Sequence, residues 1–254
     1  TLVSVDLSAK NEGDIVPVQE GDHFAEFYIA KRGYETGLNG AGRTLLVRKE
    51  CYDVRQWNNS NVNTYAASTI DNWLNSDYKA LLSEAFQTAI GTTKIYYTPG
   101  NGDHALAELE RSVFQLSMTE LGEATSYNNV EGAALPIAGM LKIAYLNGQA
   151  ESQWTRSPLT DGSSRVNYIG SAGGYGWGYP VDSNGSRPAF TLPDDFKYSI
   201  YQDMDGNYHL NQEYRITLTD ILGSLITLPS AQLDSSVKIE TGSYVGTGTY
   251  GSSN

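Results

Sequence analysis

The chain is poor in cysteine, histidine and positive charge, and each shortage removes a class of function. One cysteine, Cys51, among 254 residues rules out an internal disulfide; it reads as a small buried hydrophobe, since a reactive thiol needs electropositive neighbours. The three histidines, His23, His104 and His209, lie far apart beside turn residues, without the helical or hairpin spacing of a metal-ligand pair. Lys and Arg number 17 against 29 Asp and Glu, a net charge of −12 and a pI near 4.6. Binding to a nucleic-acid backbone or to anionic lipid is therefore not expected. No apolar run approaches membrane-spanning length, so no membrane insertion is expected. The first residues lack a signal-peptide pattern and an initiator Met, and the last, "GTGTYGSSN", read as an interrupted element. A piece of a longer protein is the expectation.

Catalytic motifs are equally scarce. No G-x-S-x-G elbow, H-E-x-x-H or paired-cysteine motif occurs. "GLNGAG" at 37–42 lacks the G-x-G-x-x-G order of a nucleotide loop. "DMDGNYHLNQE" at 203–213 is a poor calcium loop: position six is Tyr208, not Gly, position twelve is Tyr214, and Glu213 falls one residue short. The acid pair Asp194–Asp195 reads as a solvated face. No metal, cofactor or enzymatic activity is expected.

What the chain has in quantity is glycine and tyrosine, 26 and 18 residues. "EGDIVPVQEGDHFAEFYIAKRGYE" (12–35) reads as two or three strands, and Thr44–Lys49, after a Gly-rich turn, as another. "STIDNWLNSDYKALLSEAFQTAI" (68–90) switches to helical period through Ile70, Trp73, Leu74, Tyr78, Leu81, Leu82, Ala85 and Phe86. Ser68 or Thr69 is its cap, and Asn75–Ser76 its expected break. "TTKIYYTPGNGD" reads as a strand into a turn, "SVFQLSMTELGEATSY" as a strand and a short helix. "ALPIAGMLKIAYLNGQ" reads as a second helix, with Pro136 in its first turn and Gly148 past its end. "RPAFTLP" reads as a returning core strand, and Asp205–Gly206 as a hairpin turn. From Asn211 onward the tail reads as a linker and the start of another module.

Between these elements lies "SRVNYIGSAGGYGWGYPVDSNGSRPAF" (164–190), which sets Tyr168, Tyr175, Trp177 and Tyr179 among Gly, Ser, Asn and Asp. Rigid amphipathic rings among small adaptable residues are the composition of a paratope. In an extended "YGWGYPV", Tyr175, Trp177 and Tyr179 share one face. That face is expected to be exposed, because a core strand would carry Val, Ile or Leu on one side.

Four motifs in this order, "STIDNWLN" (68–75), "VFQLSMTELG" (113–122), "QWTRSP" (153–158) and "GSRPAF" (185–190), resemble the DUF6273 family of gut Firmicutes and their phages. The resemblance runs from about Glu26 to Pro193. It implies an α+β, C-type-lectin-like fold: two main helices packed on small antiparallel sheets, with a short β-rich C-terminal extension. The implied division is lead-in strands at 1–25, the domain at 26–193, and a hairpin, linker and further module at 194–254. Some such proteins resemble the variable proteins of diversity-generating retroelements, in which adenine-directed mutagenesis rewrites a segment near the end of the domain. Here that window is 159–186. AAC-type template codons yield no Lys, Glu, Gln, Met or Trp, and the window contains none of these except Trp177.

The implied function is a ligand- or receptor-binding module displaying a hypervariable surface. Its contact residues are Leu159, Asp161, Ser164, Arg165, Asn167, Tyr168, Ser171, Tyr175, Trp177, Tyr179 and Asp182. The implied partner is a host-cell surface protein or glycan. The implied setting is a phage tail, as a homo-oligomer (a trimer if a tail fibre), or alternatively a bacterial cell surface as an adhesin. The formylglycine-generating oxidases share a related fold, but their chemistry needs paired thiols. Trp73, Leu74 and Trp154 read as core, and Arg156 and Arg187 as a frame holding the window through backbone carbonyls.

Overall fold

In a computed structural model, residues 1–123, 125–162 and 164–209 are described, with the backbone of two further strands at 217–219 and 225–227. The chain forms two compact units, Thr1–Tyr208 and His209–Asn254. The strands in chain order are β1 (Leu2–Asp6), β2 (Ile15–Glu20), β3 (His23–Arg32), β4 (Arg43–Arg48), β5 (Asp53–Gln56), β6 (Thr93–Tyr97), β7 (Ala107–Arg111) and β8 (Val113–Phe114). They continue as β9 (Ala144–Leu146), β10 (Gln149–Glu151), β11 (Gln153–Pro158), β12 (Val166–Ile169), β13 (Tyr175–Gly178), β14 (Ser183–Ser186), β15 (Ala189–Pro193), β16 (Lys197–Gln202) and β17 (Tyr208–His209). In the second unit, β18 (Thr217–Thr219) and β19 (Leu225–Thr227) pair antiparallel. The fold is α+β and mostly β.

Two five-stranded sheets carry the first unit. One is antiparallel in the order β2-β3-β4-β15-β8. In its centre β4 buries Thr44, Leu45, Leu46 and Val47 without alternation, as expected of a strand covered on both faces. Phe190 on β15 meets Phe27 on β3 at 5.2 Å and Phe86 of the helical layer at 6.5 Å, rings whose burial is worth about 1.5–3 kcal/mol each. The expected core strand "RPAFTLP" is thus β15. The other sheet runs β13-β12-β11-β14-β5 and holds the Gly- and Tyr-rich window.

The boundary expected at 25/26 falls inside β3, and β2 is an edge strand of the first sheet. β1 pairs with β16 from Leu2↔Tyr201 to Asp6↔Lys197, so the N-terminal residues and the segment after Pro193 close one unit together. Asp205–Gly206 forms its hairpin, with Gly206 at φ 88° and the Asp203 carboxylate accepting from the Asp205 and Asn207 amides at 2.9 and 2.8 Å. The rest of the expected linker lies outside the described residues.

Two helices resemble the expectation only in part. Ser68 is the cap, its Oγ accepting from the Asp71 amide at 3.2 Å. Helix Thr69–Trp73 passes into a π-helical segment, Leu74–Tyr78, and on to Lys79–Leu81. Asn75 therefore widens the helix instead of breaking it; its side-chain amide donates to the Asp71 carbonyl at 3.0 Å and to Val113 O at 2.9 Å, an insertion into the i→i−4 ladder. The break falls at Leu82, extended at ψ 149°, and Ser83 caps a second helix, Glu84–Ile90. The helix expected over 134–149 is one turn, Ala138–Leu141. Beyond it β9 and β10 form a hairpin about Asn147 and Gly148, at φ 51° and 76°. Asn-Gly is a strong two-residue hairpin turn, and that local geometry overrode the helical period. The short helix expected after "VFQLS" is a turn through Met118–Gly122.

Candidate functional site

The window is built outward from β11, whose six residues are all buried. Trp57 donates to the Thr155 carbonyl and Trp154 to the Arg55 carbonyl, both at 2.9 Å. β11 is irregular between Trp154 and Pro158 in its pairing with β12. Asn167 repairs the gap: its Nδ2 donates to Ser157 O at 3.0 Å, and Thr155 Oγ1 donates to the Asn167 carbonyl at 2.8 Å. Beyond β12 the chain turns over Ser171, Ala172 and Gly173. Gly173 N donates to Gly170 O and Gly170 N to Gly174 O, both at 2.8 Å, and Gly173 has φ 83°. This is a three-residue hairpin closed by a left-handed glycine, which returns the chain as β13.

β13 alternates as the sequence predicts. Tyr175, Trp177 and Tyr179 are 37%, 45% and 48% exposed. Arg165 joins them, its guanidinium carbon 4.0 Å from the Trp177 ring centroid and its Nη2 2.7 Å from Asp161 Oδ2. The Tyr175 hydroxyl is held above its ordinary pKa by partial burial and by the nearby Asp161 and Tyr127, with Arg165 opposing. Those through-space effects place Asp161, Arg165, Tyr127 and Tyr175 in one cluster. Asp182 closes the strand, accepting from the Tyr179 amide at 2.8 Å. Asp161, Ser171, Tyr175, Trp177, Tyr179 and Asp182 are exposed; Ser164 and Arg165 are half-buried.

Three expected contact residues need correction. Leu159 is 2% exposed and Asn167 fully buried; one fills the core and the other completes the irregular strand, so neither side chain offers contact area. Tyr168 faces the opposite side from Trp177. Its ring stands edge-on to Trp154 at 5.9 Å between centroids, and a Cβ on Gly176 would lie 2.4 Å from its Cε2. Gly176 therefore makes room for Tyr168, where the composition alone suggested that the glycines unshield the outer rings. Gly176→Ala is expected to cost about 1–3 kcal/mol through overpacking. In a Tyr168→Ala background the same change should be nearly neutral. Thermal unfolding of the four proteins of that cycle decides it, and an equal penalty in both backgrounds would refute the contact.

Tyr127 and Val130, 50% and 69% exposed, were not among the expected residues. They lie in "SYNNVEG" (126–132), whose Tyr among Ser and Asn repeats the window's composition. The Tyr127 carbonyl accepts from the Thr160 amide at 2.9 Å, which anchors this loop beside the window.

The two arginines expected to frame the window are both buried and are satisfied by different means. Arg156 is buried and bidentate on Glu120, at 2.7 and 3.1 Å, and donates to the carbonyls of Gln115 and Tyr96 at 2.9 and 2.8 Å. Glu120 also accepts from the Tyr34 hydroxyl at 2.5 Å and the Ser117 amide at 2.8 Å. Burial pulls the Arg156 pKa down, and Glu120, together with Tyr34 and Glu131, raises it above its ordinary value on balance. Arg187, 2% exposed, donates to the carbonyls of Arg48, Leu141 and Lys49 at 2.7, 2.7 and 2.8 Å. No carboxylate accepts from it among the described residues, and burial brings its pKa down to about 10. Both arginines capture backbone carbonyls, but those of residues outside the window 159–186, so they tie the core segments together and do not bond the window itself; the Glu120 pairing is additional. Trp154 and Leu74 are core, as expected, while Trp73 is only half-buried, under the Arg55 guanidinium.

Cys51 is 1% exposed and its thiol is pushed up to about 11 by burial, which makes it the inert hydrophobe expected. Among the described residues no group of three His, Cys, Asp or Glu is placed to hold a metal ion, and no helix is long and apolar enough to cross a membrane. A family model described as a domain of unknown function, DUF6273, matches residues 41–194. No curated protein and no solved structure matches the chain.

Proposed function

The chain belongs to the DUF6273 family, and from that premise we propose that it is a non-enzymatic binding module of C-type-lectin-like fold whose window, residues 159–186, displays a diversifiable face to a host-cell surface protein or glycan. The observation that carries the reading is the ridge of Tyr175, Trp177 and Tyr179, exposed on a strand anchored to the core through β12 and β11. Aromatic side chains on a fixed frame lose little entropy on binding and supply most hot-spot energy. A changeable surface needs a frame that does not depend on it, and β11, Arg156 and Arg187 bond mainly to groups outside the ridge. The window's acids are engaged structurally, Asp161 with Arg165 and Asp182 with the Tyr179 amide, which speaks for contact over catalysis. The carrier we propose is a phage tail fibre or other receptor-binding protein, and the same surface would serve a bacterial adhesin.

The test is binding of labelled protein to a panel of gut Firmicute cells. Trp177→Ala should weaken binding at least about tenfold, equal to ~1.4 kcal/mol, with the melting transition retained. If Trp177→Ala, Tyr175→Ala and Tyr179→Ala all bind like the parent, the ridge is not the contact surface. An adenine-rich near-copy of the codons for 159–186 beside a reverse-transcriptase gene would establish diversification.

A further inference from the structure

β13 is the last strand of its sheet: it pairs with β12, and among the described residues no strand pairs with its other side. Its hydrogen-bond phase follows from the turn. Because Gly170 N donates to Gly174 O, and bonded pairs alternate along an antiparallel ladder, Tyr168↔Gly176 and Val166↔Gly178 are the bonded pairs. The Asn167 carbonyl agrees, since it turns toward β11 to accept from Thr155. Asn167↔Trp177 and Ile169↔Tyr175 are then non-bonded pairs, so the N–H and C=O groups of Tyr175 and Trp177 point out along the open edge. The edge stops at Tyr179, whose amide is taken by Asp182. Natural sheets guard such edges with Lys, Pro, bulges or inward charge. "YGWG" has none of these, and its register with β12 is unbroken.

We propose that this edge takes an extended polypeptide segment of the partner as an added strand, with Lys or Arg at alternate positions of that segment set against the ridge. The proposal rests on the reading of the ridge as the binding face, and narrows the partner from protein or glycan to a protein with a free basic strand. The backbone supplies two donors and two acceptors in strand phase, the pattern that an extended peptide completes by strand addition. Charge selects the side chains. The protein carries −12 and Asp161 and Asp182 flank the ridge; Arg165 already covers the Trp177 ring and pairs with Asp161, so the exposed Tyr175 and Tyr179 rings and Asp182 are where a partner's cations would settle. A second copy would bring the same −12 to the same edge, so self-pairing is disfavoured.

The test uses the whole chain, 15N-labelled, and a blocked peptide of about nine residues alternating Lys with Val, long enough to span one strand. The peptide is expected to slow amide exchange at Tyr175 and Trp177 at least about tenfold, while Gly176, already paired to β12, changes little. N-methylation of the peptide's amides in one parity should abolish that protection, and in the other parity leave it. A Glu-Val peptide should fail to protect. Three results would overturn the proposal. The peptide can quench Trp177 fluorescence without protecting the two amides, in which case the ridge binds but the edge does not add a strand. Neither peptide can bind, and the whole-cell titration then judges the ridge alone. The amides can instead be protected in the free protein as its concentration rises, which makes the occupant a second copy.

Discussion

Glu120→Gln is expected to destabilise the first unit by about 3–5 kcal/mol, because it strands a buried guanidinium. Glu120 and Arg156 are both fully buried, and the carboxylate also orders Tyr34 and the Ser117 amide. Gln is the same size but neutral, and its amide nitrogen would face guanidinium N–H groups with nothing to accept. For a protein of this size the loss corresponds to a fall in melting temperature of roughly 6–20 °C. Replacing both partners together with apolar residues should cost less than Glu120→Gln alone, because the penalty lies in the unpaired charge. Thermal and urea unfolding of the two variants measures this, and a Glu120→Gln protein that melts with the parent would show that Arg156 finds other partners.

Arg187→Met should cost less, about 2 kcal/mol or somewhat more. The guanidinium satisfies three main-chain carbonyls and the Gln153 side-chain oxygen, with no counter-ion among the described residues, and Leu141 O keeps a second donor in Gln153 Nε2 at 2.7 Å. Two carbonyls, those of Arg48 and Lys49, lose this donor, at about 1–3 kcal/mol for each left unpaired. Against this, a buried charge with no counter-ion is removed, which offsets part of the loss. The ordering is the informative result. If Arg187→Met unfolds the protein more readily than Glu120→Gln, carbonyl capture is worth more here than charge pairing. In both variants the β13 ridge remains chemically unchanged, so binding measured below the new melting point should survive.

The amino-acid sequence by itself determined the local features of this protein: the Ser68 cap, the Asp205–Gly206 hairpin, the β15 core strand, and the alternation that puts Tyr175, Trp177 and Tyr179 on one face of β13. Each depends on a few adjacent residues, and dihedral preference and side-chain period are properties of short segments. Tertiary structure alone decided which of the window's residues are available. Asn167 reads as a contact residue among Ser, Gly and Tyr, yet it is buried because the irregularity in β11 leaves Ser157 O needing a donor. Tyr168 reads like its neighbours, yet Trp154 and Gly176 fold its ring inward. Tyr127 reads as distant, yet its loop is bonded to Thr160. That β13 stands at a sheet edge depends on the order β13-β12-β11-β14-β5, in which β5 joins from more than a hundred residues earlier. Strand order is set by burial summed over pairings far apart in the chain, and no local window of sequence carries that sum.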